Sequence, residues 1–302
     1  LIGWTKMKNE KSRPDIGGKL DFVEECSWVD NHIGGESFVL LDCRYFLPTE
    51  GKKGIKEYKK EHIPTASFFD IDSICDPETD LPHMLPTIEF FFEQIGLLGI
   101  KNGDYVICYD GGNGSMAAMR VFWMFQVFGH KSVSILNGGL AEWKKMKYQT
   151  VSGEEKRERE KYKIEKLNLS IVKNIDDIFR NIETREVQVV DARSQGRFYG
   201  KEPEPRSGIK QGHMPGSINL PFAKLYENNS AKLSSPSYIM SVLNKGGIDP
   251  KKPIISSCGS GVTAAVLFFY LKAMGYDTVS IYDGSWTEWG SRPDTKISSE
   301  VK

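Results

Sequence analysis

The sequence predicts an α/β protein made of two tandem domains, each a mostly parallel sheet with helices on both faces. Three observations predict it. Short aliphatic runs bounded by polar residues alternate with amphipathic stretches in strand, loop, helix, strand order. The landmarks of the first half recur in the second at an offset of about 150 residues, far beyond the period of a solenoid repeat. The 302 residues are 39% hydrophobic, enough for two ordinary cores.

The run at 38–42 is aliphatic and passes into Asp42-Cys43-Arg44; the run at 187–191 passes into Asp191-Ala192-Arg193. Both read as buried strands. Farther on, each half carries a His-x-Pro turn, His62-Ile63-Pro64 and His213-Met214-Pro215. Further strands at 105–109 and 253–257 enter small-residue loops and then amphipathic helices. Each half closes on a glycine turn followed by tryptophan: Asn137-Gly138-Gly139 before Trp143, and Asp283-Gly284-Ser285 before Trp286 and Trp289. The expected organisation is a domain at 1–150, a linker at 151–166 and a second domain at 167–302. The linker is dense in Lys, Glu and Arg and shows no core pattern until Ile164; a solvated helical face is its competing reading. Phe122, Trp123, Phe125 and Phe128 follow helical spacing and are expected in the core.

Forty basic residues balance forty acidic ones, which argues against nucleic acid or an anionic membrane as the main partner. No apolar run has the length of a membrane span. The five cysteines form no Cys-x-x-Cys pair, so neither a disulfide framework nor a structural zinc site is expected. That usage fits a reducing compartment, cytoplasmic or mitochondrial. Residues 1–19 are Lys-rich, lack an apolar core and do not read as a secretory signal. No metal and no cofactor are expected.

The most informative stretch is Ser257-Cys258-Gly259-Ser260-Gly261-Val262-Thr263. A strand delivers Cys258 to its carboxyl end, where ligands sit in parallel sheets. Gly259 and Gly261 allow the backbone to curl with φ > 0, and the sequence turns helical from Val262. Backbone N–H groups of the loop are expected to converge on the sulfur and to favour an anionic outer sulfur such as a persulfide. Asp110 stands at the matching place in the first half, so that half lacks a nucleophile; Cys108, two residues earlier, reads as core. A cysteine phosphatase would need an arginine closing the loop, and Ala264 stands there instead. His62, His213 and the two Asp–Arg pairs occur in both halves, one of which has no nucleophile. They are therefore expected to be structural.

In these features the chain resembles the tandem rhodanese family, and the Cys258–Thr263 loop makes it similar to the mercaptopyruvate sulfurtransferases within it. Supporting stretches begin at His62, Pro82, Arg120, Gly196, Glu202 and Tyr282. The resemblance implies two rhodanese-like domains and transfer of sulfur from 3-mercaptopyruvate through a persulfide on Cys258. The acceptor would be thioredoxin, a small thiol or cyanide, with pyruvate and hydrogen sulfide released. It also implies that Arg197 and Arg206 hold the substrate, that Gly259, Gly261, Val262 and Thr263 form its binding loop, and that Asp72, His83 and Ser260 relay a proton. Arg206 follows an acidic segment, so an internal ion pair is its rival role. Thiosulfate sulfurtransferase and a non-catalytic rhodanese-like binding module are the alternatives. One departure is Thr65 after His-Ile-Pro, where the family usually has glycine. Another is the lysine-rich stretch Lys52, Lys53, Lys56, Lys59 and Lys60, expected to be an exposed loop, with a dock for an acceptor protein as the alternative.

Overall fold

The structure, a computed structural model, describes residues 20–47, 50–112, 116–227 and 230–299. The expectations for residues 1–19, and the Asn113-Gly114-Ser115 part of the first-half loop, lie outside the described residues.

The first half runs β1 (Val23–Glu24), α1 (Cys26–Asp30), β2 (Phe38–Asp42), α2 (Gly54–Lys60), β3 (Ser67–Phe68), α3 (Ile88–Leu97), β4 (Tyr105–Tyr109), α4 (Met116–Val127), β5 (Val133–Leu136) and α5 (Gly139–Lys145). The second repeats the plan with β6 (Val172–Lys173), α6 (Ile175–Thr184), β7 (Gln188–Asp191), α7 (Gln195–Phe198), β8 (Ile218–Asn219), α8 (Pro236–Lys245), β9 (Ile254–Ser257), α9 (Ala264–Ala273), β10 (Val279–Tyr282) and α10 (Ser285–Ser291). The sheet orders are β1-β5-β4-β2-β3 and β6-β10-β9-β7-β8. Every pairing between these strands is parallel.

Every residue of β2 is buried because both faces of its sheet are covered. Val39 and Leu41 pack with Val106 and Cys108 on one face, while Phe38 and Leu40 pack with Ile107 and Tyr109 on the other. Cys108 is core, as its place inside the strand suggests. The second sheet divides likewise: Val190 and Ile254 face one core, Val189 and Ile255 the other, beneath Trp286 and Trp289 of α10.

Helices α4 and α9 are buried nearly all round, and a helix apolar on every side belongs inside a protein. They meet where the halves join, Phe122 edge-on to Phe269 with ring centroids 5.1 Å apart. The core is therefore continuous through both halves. Phe122, Trp123, Phe125 and Phe128 all lie within it.

The duplicated polar residues close the strand ends. Arg44 pairs with Asp42 at 2.7 Å and donates to the Glu61 carbonyl; Arg193 pairs with Asp191 at 2.7 Å and donates to the Gly212 carbonyl. His62 Nδ1 donates to the Tyr58 carbonyl and His213 Nδ1 to the Phe198 carbonyl, each at 2.9 Å. Their backbones bridge antiparallel to Val151 and Ser298. In the turn after each histidine, Gly216 has φ +82° and Thr65 has φ +67°. The position thus requires a left-handed backbone, and in the first half a β-branched residue adopts it under strain.

Between Val151 and Asn168 the chain forms no helix. It lies along the first half through hydrogen bonds from Glu160 to Gly96 and from Asn168 to Val127. Tyr162 is buried there against Phe91, Phe92 and His130, earlier than Ile164, where a core pattern was expected. The surrounding charges conceal this anchor in the sequence. No helix among the described residues is long and apolar enough to cross a membrane.

Candidate active site

Cys258 follows β9 directly, at the carboxyl edge of the second sheet, and is 2% exposed. Its loop is cradled by the start of α10. The Trp286 N–H donates to the Cys258 carbonyl at 2.9 Å, and the Thr287 N–H donates to the Gly259 carbonyl at the same distance. The Thr287 hydroxyl adds a second bond to Gly259, at 2.6 Å. The Cys258 N–H donates to Ser285 Oγ, whose own proton goes to the Tyr282 carbonyl.

Among the described residues, the N–H groups of Gly259, Ser260, Gly261, Val262 and Thr263 have no hydrogen-bond partner. None of them donates to the Cys258 sulfur. The expected convergence of amides on that atom is therefore not seen; the loop instead keeps a run of free donors of the kind that binds anions. The expectation that both glycines serve positive φ holds at Gly261 alone, with φ +76°. A Cβ there would also come within 2.9 Å of Arg120 Nη1. Gly259 does not hold a positive φ, and a Cβ there would lie 3.0 Å from Arg197 Nη2, the movable end of a long side chain. The helix begins at Ala264, two residues later than the sequence suggests. Val262 and Thr263 form a tighter turn, accepting from Ala265 and Val266 at 3.2 Å.

Cys258, Gly259, Ser260, Val262 and Thr263 line a cleft of about 140 Å³ with Arg197, Arg206, Tyr45 and Met116. The cleft thus takes walls from both halves. Arg197 Nη2 lies 2.5 Å from Glu204, and that buried carboxylate also pairs with Arg193 at 2.8 Å. Arg206 forms no ion pair or hydrogen bond among the described residues. The acidic segment considered as a partner for Arg206 thus serves Arg197.

His83 is 5% exposed and brings both halves to the site. Its Nε2 lies 2.8 Å from Asp72 Oδ1, and its Nδ1 lies 3.1 Å from Ser260 Oγ. In the neutral ring Nε2 donates to the carboxylate, and Nδ1 accepts from the hydroxyl. The ring stands edge-on to Tyr45 at 5.2 Å. Burial pushes the Tyr45 phenol up to about 12, the Asp72 charge adding to the effect and Arg206 opposing it.

Sequence reasoning missed Tyr45, and read Arg120, Glu204, Asp283, Ser285 and Thr287 only as parts of motifs. A signal existed for Arg120, the sole charged residue of a mostly apolar helix. At the matching place in the first half, Asp110 is buried and accepts from the Gly112 N–H at 3.1 Å.

Residues 25–146 and again residues 175–292 match the rhodanese-like domain family. The chain belongs to the rhodanese family. It is 40% identical over 267 residues to the 3-mercaptopyruvate sulfurtransferase of Homo sapiens, covering 87% of this chain and 89% of that protein. Over 268 residues it is 38% identical to the thiosulfate sulfurtransferase of Mus musculus, with the same two coverages. Among solved structures it is similar to SseA of Escherichia coli, a 3-mercaptopyruvate sulfotransferase. The TM-score is 0.80 at 33% identity, covering 88% of this chain and 98% of that one. This rhodanese is accordingly an enzyme of the sulfurtransferase class, with its loop cysteine in the second of two rhodanese domains.

Proposed function

We propose that the protein takes sulfur from 3-mercaptopyruvate onto Cys258 and passes it to a thiol acceptor. The observation that carries this reading is the composition of the cleft: a cysteine beside two arginines, with the hydroxyl of its own loop met by an imidazole–carboxylate pair from the other half. Guanidinium forks suit the planar carboxylate and carbonyl of an α-keto acid. The loop after the cysteine offers neutral Gly259 and Ser260 and no cation for a dianion such as thiosulfate.

In the first step the Cys258 thiolate attacks the substrate sulfur. The S–S bond forms as the C–S bond breaks, and the electron pair leaves on the pyruvate enolate. The substrate's thiol proton passes through Ser260 and His83, with Asp72 orienting the ring, and protonates the enolate carbon. Arg197 and Arg206 hold the carboxylate and stabilise the enolate oxygen. The free N–H groups from Gly259 to Thr263 receive the anionic outer sulfur. In the second step an acceptor thiolate takes that sulfur; a dithiol protein such as thioredoxin then closes to a disulfide and releases hydrogen sulfide. The five cysteines are all free, in keeping with a reducing cytoplasmic or mitochondrial setting.

The test is kinetic and chemical. kcat/KM with 3-mercaptopyruvate should exceed that with thiosulfate, and the reverse order would make the protein a thiosulfate sulfurtransferase. Mass spectrometry after donor alone should find one added sulfur on Cys258, absent in Cys258→Ser. No added sulfur on the native chain would leave a binding module.

A further inference from the structure

Arg120 is a fully buried cation where the two halves meet. It rises from α4 in the first half and is 0% exposed. Its Nη1 pairs with Asp283 Oδ1 at 2.7 Å and reaches the Gly261 carbonyl at 3.4 Å; its Nη2 donates to the His83 carbonyl at 2.5 Å. The guanidinium lies over the Trp123 ring, 4.3 Å from its centroid. The other Asp283 oxygen accepts the Leu85 N–H at 2.8 Å.

One planar group therefore touches the two segments that carry the proposed proton chain. On one side is His83, held at φ +62°, a backbone state that a non-glycine residue keeps only when its surroundings fix it. On the other is Gly261, next to Ser260. Asp283, the anionic partner, leads directly into the Ser285–Thr287 cradle of Cys258. Both partners are specific in shape: the fork holds three acceptors at fixed angles, and the missing side chain at Gly261 lets it approach.

We propose that Arg120, paired with Asp283, is a positioning residue that keeps His83 in register with Ser260 and the Cys258 loop across the two halves. The proposal rests on the His83–Ser260 proton chain proposed above. Arg120 does not touch the reacting atoms. It acts by fixing where the imidazole meets the hydroxyl, and a misplacement of about 1 Å at such a contact can lower turnover on the order of 100-fold.

The experiment is a double-mutant cycle on the full chain, with 3-mercaptopyruvate as donor and 2-mercaptoethanol as acceptor. Arg120→Lys keeps the charge but cannot reach all three acceptors. It should lower kcat about tenfold or more while KM moves less than about threefold, and in the His83→Gln background it should lower kcat by less than about twofold. Asp283→Asn, which keeps shape and can still accept from Leu85, should show the same pattern and serves if Arg120→Lys does not fold. Melting curves establish that each variant is folded. If the losses multiply in the double variants, or if KM rises with kcat retained, or if neither changes, Arg120 is only an interface ion pair and the proposal fails. If His83→Gln alone leaves kcat intact, the proton chain itself fails and takes this inference with it.

Discussion

The Nδ1 of His83 lies 3.1 Å from the Ser260 hydroxyl, a contact between residues 177 positions apart that joins the two halves at the Cys258 loop. It gives the first half a role although Asp110 stands where a nucleophile would be. That half supplies the imidazole, its Asp72 anchor at 2.8 Å and the Tyr45 wall of the cleft.

Removing this contact should separate the two donors. His83→Gln or Ser260→Ala should lower kcat with 3-mercaptopyruvate on the order of 100-fold, and the double variant should be little worse than either. Thiosulfate has no thiol proton to move, so turnover with it should change less than about threefold in the same variants. Parallel steady-state runs with both donors check this; equal losses would contradict proton transfer.

The two arginines should differ in kind. Arg206 has no partner among the described residues, whereas Arg197 shares Glu204 with Arg193. Losing a charge-assisted hydrogen bond costs about 1.5–3 kcal/mol, or roughly 10- to 150-fold. Arg206→Gln should therefore raise KM for 3-mercaptopyruvate by at least about tenfold, and more than Arg197→Gln does. Titration of KM in the two variants decides it.

Much of this was legible in the chain. The repeated Asp–Arg and His-x-Pro landmarks revealed the duplication because each strand end needs the same polar closure. Cys258 stood out because its strand and loop are local in sequence. Arg120 and Glu204 were not legible as parts of the site, because their roles depend on where the two halves meet. Nor could the sequence show that Tyr162 leaves its charged segment for the core. Gly259 reads as a φ > 0 position by local pattern alone, while its nearest neighbour in space is the Arg197 guanidinium, far away in the chain.

Thr65 offers a stability test away from the site. It holds φ +67° where its second-half counterpart Gly216 holds φ +82°. The left-handed state costs a residue with a Cβ about 1–2 kcal/mol, of which glycine's greater unfolded freedom offsets about half. Thr65→Gly should therefore stabilise the protein by about 0.5–1 kcal/mol with kcat unchanged. Urea titration measures it, and a destabilised variant would show that the Thr65 side chain contributes more than its strain.

Asp110 makes stability depend on pH. Burial, only partly opposed by the N–H groups of Gly112 and of Ala117 and Ala118 in the first turn of α4, pushes its carboxyl from 3.8 up to about 6. The folded state thus prefers the protonated form. The contribution is complete below pH 3.8, fades as pH rises through 6, and is absent above it. The shift of about 2 units corresponds to about 3 kcal/mol. Asp110→Asn keeps an oxygen for the Gly112 N–H and cannot ionise. Relative to the native chain it should gain stability as pH rises from 4 to 7, and then hold a constant advantage. Melting temperatures of both proteins across that range test it. A difference independent of pH would show that burial does not shift the Asp110 carboxyl, and one that grows toward acid would show that the carboxylate is stabilised as an anion; either overturns the prediction.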